Sequence, residues 1–127
     1  MDYSQLSDFE INVEVFEALH GGSPDCKEGD NGEMLLVSFE ADVVGGDIVE
    51  VEVVRGSFNP CNNAADSWPI IVENKIKIEP MRRVRNHNEW YEEWDASVNS
   101  PHFCESHNNP LRAAMIVFLL SQDDNHA

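Results

Sequence analysis

Four residues could ligate zinc: Cys61 and the cluster His102-x-Cys104-x-x-His107. Thiolates and imidazoles bind zinc tetrahedrally, so this set could close a structural site. It lacks the paired C-x-x-C knuckles of specific motifs, and the residues around Cys104 read as a loop. A polar loop with one semi-buried thiol is the simpler expectation, so no metal or cofactor is expected. Cys61, Asn62 and His87 supply the types of a nucleophile, an orienter and a base. Nothing in their spacing brings them together. Asn62 and Asn63 are better read as turn and cap residues beside an apolar Cys61. Asp66 and Glu73 could form an acid–base pair or hold magnesium, although a helix-start charge and a solvated side chain explain them more simply. Gly21-Gly22 and Gly45-Gly46 lack the spacing and lysine of a phosphate loop.

Recognition chemistry is better represented. The run Glu89-Trp90-Tyr91-Glu92-Glu93-Trp94-Asp95 interleaves three aromatics with four carboxylates. Aromatic anchors dominate the energetics of interfaces. Trp90 and Trp94 share one face of a strand, and the core is their default destination. Tyr91 falls on the other face and is the better interface candidate. Charge is also segregated. Residues 75–85 hold Lys75, Lys77, Arg82, Arg83 and Arg85 against Glu79, a local +4, and the rest of the chain carries −20. The arginines could pair within the chain, touch phosphate, or dock onto the acidic surface of a second copy. Pairing within the chain is the default.

Several elements must position these groups. Ser7-Asp8-Phe9-Glu10 fits a capping box. It predicts a helix with Phe9, Val13, Phe16 and Leu19 on one face, ended by Gly21-Gly22. Residues 23–32 read as a loop. Met34–Phe39 and Asp47–Val54 read as strands joined at Gly45-Gly46. Val49, Val51 and Val53 lie on one face of the second strand, with Glu50 and Glu52 on the wet face. Asn62 or Asn63 could cap a helix through Asn74. Pro69 suits only a first turn or a break, which would move the helix start toward Ser67. Lys75–Glu79 and Glu89–Val98 read as paired strands, and 99–109 as a loop. Asn109-Pro110 starts a final helix whose run Ala113–Leu120 is too apolar to sit in water. Leu111, Ala114, Met115 and Phe118 are expected to face the sheet. From about residue 121 a polar, frayed tail is expected. The expected architecture is α+β: one domain over residues 1–127, with an antiparallel sheet of about four strands. An N-terminal helix, a C-terminal helix and a short central helix pack against it.

Composition bounds the function. At 127 residues and net charge −16, the chain has few cations for phosphate contacts, so nucleic acid is not expected as its main ligand. An anionic membrane surface is disfavoured for the same reason. The N-terminus lacks the basic and apolar regions of a signal peptide, and three widely spaced cysteines make a poor disulfide framework. A cytoplasmic protein with reduced thiols is expected.

Three segments together resemble one family. They are Met1-Asp2-Tyr3-Ser4-Gln5-Leu6-Ser7-Asp8-Phe9-Glu10-Ile11-Asn12, then Cys61 through Asn74 (Cys-Asn-Asn-Ala-Ala-Asp-Ser-Trp-Pro-Ile-Ile-Val-Glu-Asn), then Asn109-Pro110-Leu111-Arg112-Ala113-Ala114-Met115-Ile116-Val117. In this order they are similar to the NinX family of small bacteriophage proteins, a family of unknown function. Two departures stand out. The family more often has proline where this chain has Ala64, and residues 21–58 are longer and more acidic than the resemblance leads one to expect. The resemblance implies a phage or prophage gene expressed in the host bacterial cytoplasm, and it carries over no catalytic residues.

The function expected is a non-enzymatic phage accessory protein. Its acidic surface (Glu50, Glu52, Glu89, Tyr91, Glu92, Glu93 and Asp95) would engage a basic host or phage protein, such as a nucleic-acid enzyme, in a DNA-mimic-like manner. The alternatives are a zinc-dependent protein using Cys61, His102, Cys104 and His107, or a homodimer joined through Arg82, Arg83 and Arg85.

Overall fold

The computed structural model describes residues 1–22, 24–98 and 103–125. Among them the chain order is α1 (Asp8–His20), β1 (Cys26–Glu28), β2 (Met34–Val44), β3 (Asp47–Phe58), α2 (Ala64–Asn74), β4 (Lys77–Asn86), β5 (Glu89–Val98), β6 (Phe103–His107) and α3 (Pro110–Asn125). The class is α+β, as expected, but the strands form two antiparallel three-stranded sheets, β1-β2-β3 and β4-β5-β6, rather than one sheet. The extra strands, β1 and β6, fall in segments that read as loops. Both are short and polar (Cys-Lys-Glu and Phe-Cys-Glu-Ser-His), so hydrophobic alternation does not reveal them.

The capping box at Ser7 is present. The Glu10 amide donates to Ser7 Oγ and the Ser7 amide to Glu10 Oε1, each at 3.1 Å. Gly21 closes α1 at φ +74°. The buried row of α1 is Ile11, Asn12 and Val15, not the expected row of Phe9, Val13, Phe16 and Leu19. Both rows recur at three- to four-residue spacing, and tertiary contacts select between them. Phe16 still packs edge-on against Phe58, with centroids 5.7 Å apart.

The helix α2 begins at Ala64, three residues before the expected break at Ser67. Asn63 caps it, its Oδ1 accepting from the Ala65 amide at 2.9 Å. Pro69 lies inside the helix. It forfeits one backbone bond, to the carbonyl of the solvent-exposed Ala65, which water can satisfy.

The apolar α3 is the hub of the core, with every residue from Arg112 to Leu119 buried. A helix this apolar around its circumference must be covered on all sides. Sheet β4-β5-β6, α1 and α2 all pack on it. The core cluster includes Ile11, Val15, Ile70, Ile71, Ala96, Ala113, Ala114 and Met115, with Ile78, Val98 and Phe103 packed beside it. Asn109 Oδ1 caps α3, accepting from the Leu111 amide at 2.9 Å and the Arg112 amide at 3.3 Å. The helix continues through Asn125, so the stretch after residue 121 is not a frayed tail. The Tyr3 hydroxyl holds that end by donating to Asp123 at 2.5 Å.

Glu14 faces that same end. Burial, then the charges of Glu17 and Asp123, raise its carboxyl above its ordinary value of 4.5. A raised folded pKa favours folding fully below the unfolded value, and the benefit is lost as pH rises through the folded value. Ionised Glu14 is therefore unfavourable at pH 7. Glu14→Gln is expected to stabilise the fold at pH 7 by up to about 0.5 kcal/mol and to have no effect below about pH 4. Thermal melts at the two pH values check this, and a gain of equal size at both would refute it.

Candidate interaction surfaces

The starts of the three helices are tied together by a polar hub. Asn12 is fully buried in α1. Its Nδ2 donates to the Gly32 carbonyl at 3.0 Å and to Asn59 Oδ1 at 2.8 Å, while its Oδ1 accepts from the Cys61 amide at 3.1 Å. Asn62 Nδ2 reaches Asp8 Oδ2 at 3.0 Å and the Asn31 carbonyl at 2.8 Å. Asn109 Nδ2 donates to the Cys61 carbonyl at 2.7 Å and to Asn62 Oδ1 at 3.1 Å. Arg112 pairs with Asp8 at 2.7 Å and donates to the carbonyls of Leu6 at 2.7 Å and Ser4 at 3.2 Å. Gly32 completes the junction at φ +75°, where an added Cβ would come within 2.8 Å of Asp8 Cβ. The hub locks the chain around α1 and the segment before α2. Sequence reading identified only its capping members. Asn12, a weak helix former between Ile11 and Val13, was the available signal.

The hub also settles the surroundings of Cys61. Its side chain is fully buried, and burial, reinforced by the charge of Asp8, pushes the thiol up to about 12. A thiol so far from ionising is inert as a nucleophile. His87 is exposed in the β4–β5 turn, whereas Cys61 is buried. The described members of the zinc set are not brought together either. Cys104 and His107 are three residues apart on β6, so they project to opposite faces of the sheet. His102 lies outside the described residues. Among the described residues no three His, Cys, Asp or Glu side chains are grouped to hold a metal. His107 Nδ1 instead accepts from the Asn109 amide at 2.9 Å.

Register fixes the two faces of β4-β5-β6. Ile78 pairs with Ala96, and Val98 with Phe103, so the even-numbered residues of β5 share the core face. Tyr91, Glu93 and Asp95 lie on the outer face, together with Arg83. There Arg83 clamps Glu93 at 2.6 Å and Asp95 at 2.5 Å, and the Ser106 hydroxyl donates to Asp95 at 2.7 Å. Burial alone would raise the Asp95 carboxyl, but the hydrogen bonds from Arg83 and Ser106 outweigh it and lower the pKa. Arg85 lies over Tyr91, 4.6 Å from its centroid, and 3.9 Å from Glu89. Arg83 and Arg85 are thus engaged within the chain.

Trp90 and Trp94 are not core residues. They lie on the core face of β5, but no helix covers that face beyond Ala96, and they are 56% and 36% exposed. Arg82 stacks on Trp90, 5.0 Å from the ring centroid. Pro80, Arg82, Glu92, Trp94 and Asn108 border an open groove of about 370 Å³.

The other sheet contributes a longer arm. Rooted at the buried Met34 and at Phe58, β2 and β3 run out as a two-stranded hairpin whose residues 39–50 are all exposed. Gly45 and Gly46, at φ +61° and +87°, make the tight turn that matches strand twist. Lys27 pairs with Glu52 at 3.2 Å, and Arg55 with Glu40. Val43 and Ile48, opposite each other near the tip, are 68% and 80% exposed. The expected one-sided burial of β3 fails at this tip, because the arm extends past the body that would cover it.

The six carboxylates expected to form one contact surface are therefore divided. Glu50 and Glu52 stand on the arm, Glu92 on the inner face of β5, and Glu93 and Asp95 on its outer face with Glu89 at the hairpin end. Four have cationic partners: Glu52, Glu89, Glu93 and Asp95. Glu50 and Glu92 have none among the described residues.

Together these features define a small α+β domain closed by an asparagine–arginine hub, with two hairpins standing into solvent. The sequence matches the family model described as Bacteriophage P22, NinX over residues 2–122, and the chain belongs to that phage family. No curated protein and no solved structure matches it. Among the described residues no helix is long and apolar enough to cross a membrane.

Proposed function

We propose that this phage protein is a non-enzymatic binding module acting in the host cytoplasm, and that its β2–β3 arm engages a basic host or phage protein. The arm carries the reading: an exposed apolar tip of Val43 and Ile48 bordered by Asp42, Asp47 and Glu50, none of them in an ion pair among the described residues. A monomer leaves such side chains in water at a cost that a partner removes. Residues 1–58 hold fourteen acidic against two basic residues, so most of the net charge lies on this side of the sequence. That field would steer a cationic partner toward the arm. A nucleic-acid enzyme has the required chemistry. The acidic run of β5, where Arg83 offsets part of the charge of Glu93 and Asp95 and Arg85 pairs with Glu89, contributes less than its composition suggests.

The test uses the tagged full chain to capture proteins from nuclease-treated host lysate at low and moderate salt. One basic protein should be retained, and Ile48→Asp should abolish its capture. With that protein purified, Asp42→Asn, Asp47→Asn and Glu50→Gln combined should slow association about tenfold at low salt and flatten its salt dependence. Capture unaffected by Ile48→Asp, or an association rate indifferent to both salt and the neutralised arm, would overturn the reading.

A further inference from the structure

Among the described residues β3 pairs with β2 and with no other strand, so its outer edge is open along its length. An open edge offers a row of unpaired N–H and C=O groups to another chain, and folds usually blunt it. The other edges here are blunted. Pro80 interrupts β4, which also carries Lys77, Arg82, Arg83 and Arg85, while β1 and β6 are only three and five residues long. From Asp47 to Val54, β3 has neither proline nor a cation, and Ile48, Val49, Val51, Val53 and Val54 make up most of the run.

The same run is self-complementary. Side chains opposite each other in a sheet share a face, so two copies of β3 related by a twofold axis can slide only in steps that keep like faces together. With the axis at Val51, Val49 meets Val53 of the second copy, Ile48 meets its Val54, and Asp47 meets its Arg55. The next step in one direction sets Val49 against Arg55 and Glu50 against Val54. The next step in the other sets Asp47 against Val53 and Ile48 against Glu52. The bulge at Arg55, which has no opposite residue on β2, ends the match there.

We propose that this edge binds a second copy of the chain, β3 pairing antiparallel with β3 about Val51 in a closed, twofold dimer. Arg55 already holds Glu40 and Ser38 of its own chain, and its guanidinium has donors left for Asp47 of the second copy. The pairing also sets Glu50 against Glu52 of the second copy on each side of the axis. That like-charge contact opposes the dimer, and Lys27, 3.2 Å from Glu52, offsets it in part. Each copy carries −16, so association should strengthen as salt screens that charge. Capture of a basic protein by the arm weakens with salt instead, so failure of one reading leaves the other standing.

The test weighs the purified full chain by sedimentation equilibrium across concentration and salt. Twice the chain mass is expected, with tighter association at high salt. In a Cys26→Ser, Cys104→Ser background, Val51→Cys should form an intermolecular disulfide under mild oxidant, because position 51 faces its own copy across the axis. Val49→Cys, displaced from its own copy by roughly 13 Å at strand rise, should not. Glu50→Lys should tighten the dimer at least about tenfold by turning two repulsive contacts into ion pairs, and Asp47→Arg should weaken it by about as much. A monomer at millimolar concentration and high salt would overturn the proposal. So would a dimer that Val51→Cys does not cross-link or that Glu50→Lys leaves unchanged, since either would place the contact on another face.

Discussion

Replacing Asn12 with alanine is expected to destabilise the fold by about 3 kcal/mol, because a buried donor or acceptor left unpaired costs about 1–3 kcal/mol and this change strands more than one. The Cys61 amide and the Gly32 carbonyl lose this partner at once, while Asn59 Oδ1 keeps a longer bond from Asn62 Nδ2 at 3.3 Å. The Cys61 amide is buried along with Asn12, whereas Gly32 and Asn59 are half-buried. For a domain with roughly 5–15 kcal/mol of stability this is a large fraction. Urea denaturation should show a lower midpoint with an unchanged slope. A loss below about 1 kcal/mol would mean that the hub relaxes around the gap and does not lock the junction.

Arg112→Met should cost a similar amount, about 3 kcal/mol, because removing one member of a buried pair leaves the other uncompensated. The methionine keeps most of the volume in the core but abandons Asp8 and the carbonyls of Ser4 and Leu6. Asp8 is one-third exposed and keeps its bond from Asn62, which places the cost at the lower end of that range. The effect should be directional. Hydrogen exchange should quicken in the segment before α1, which Arg112 ties to α3, before it quickens in sheet β4-β5-β6. Adding Asp8→Asn to Arg112→Met should cost less than the sum of the two single changes. Full additivity would show that the pair does not act as a unit.

Wherever local rules govern, the outcome was readable from the residues. Ser7 and Glu10 form the capping box, Gly21 ends α1 and Asn109 starts α3, because capping needs only neighbours in the chain, whereas the start of α2 was open between Asn62, Asn63 and Ser67 and falls at Asn63. Gly45-Gly46 marked its hairpin for the same reason. The all-round apolar run of α3 required burial, and it is the most deeply buried helix. The family likeness, carried by three separated segments, extends over residues 2–122.

Tertiary structure decided whatever depends on which neighbour arrives. It chose between the two apolar rows of α1, and it paired the polar segments β1 and β6 that alternation cannot reveal. It placed Trp90 and Trp94 on the core face but beyond the reach of any helix, a matter of where α3 lies and not of strand periodicity. It paired Glu93 and Asp95 with Arg83, which composition counts only as separate charges. It also gathered Asn12, Asn59, Asn62 and Asn109 from widely spaced positions into one hub. Sequence by itself determined the class of fold, its caps and turns, its central helix and its family, because these follow from local conformation and pattern. Only the packed chain determined which polar groups find partners and which aromatics and carboxylates are left facing water, since burial and charge pairing are properties of contacts between distant residues.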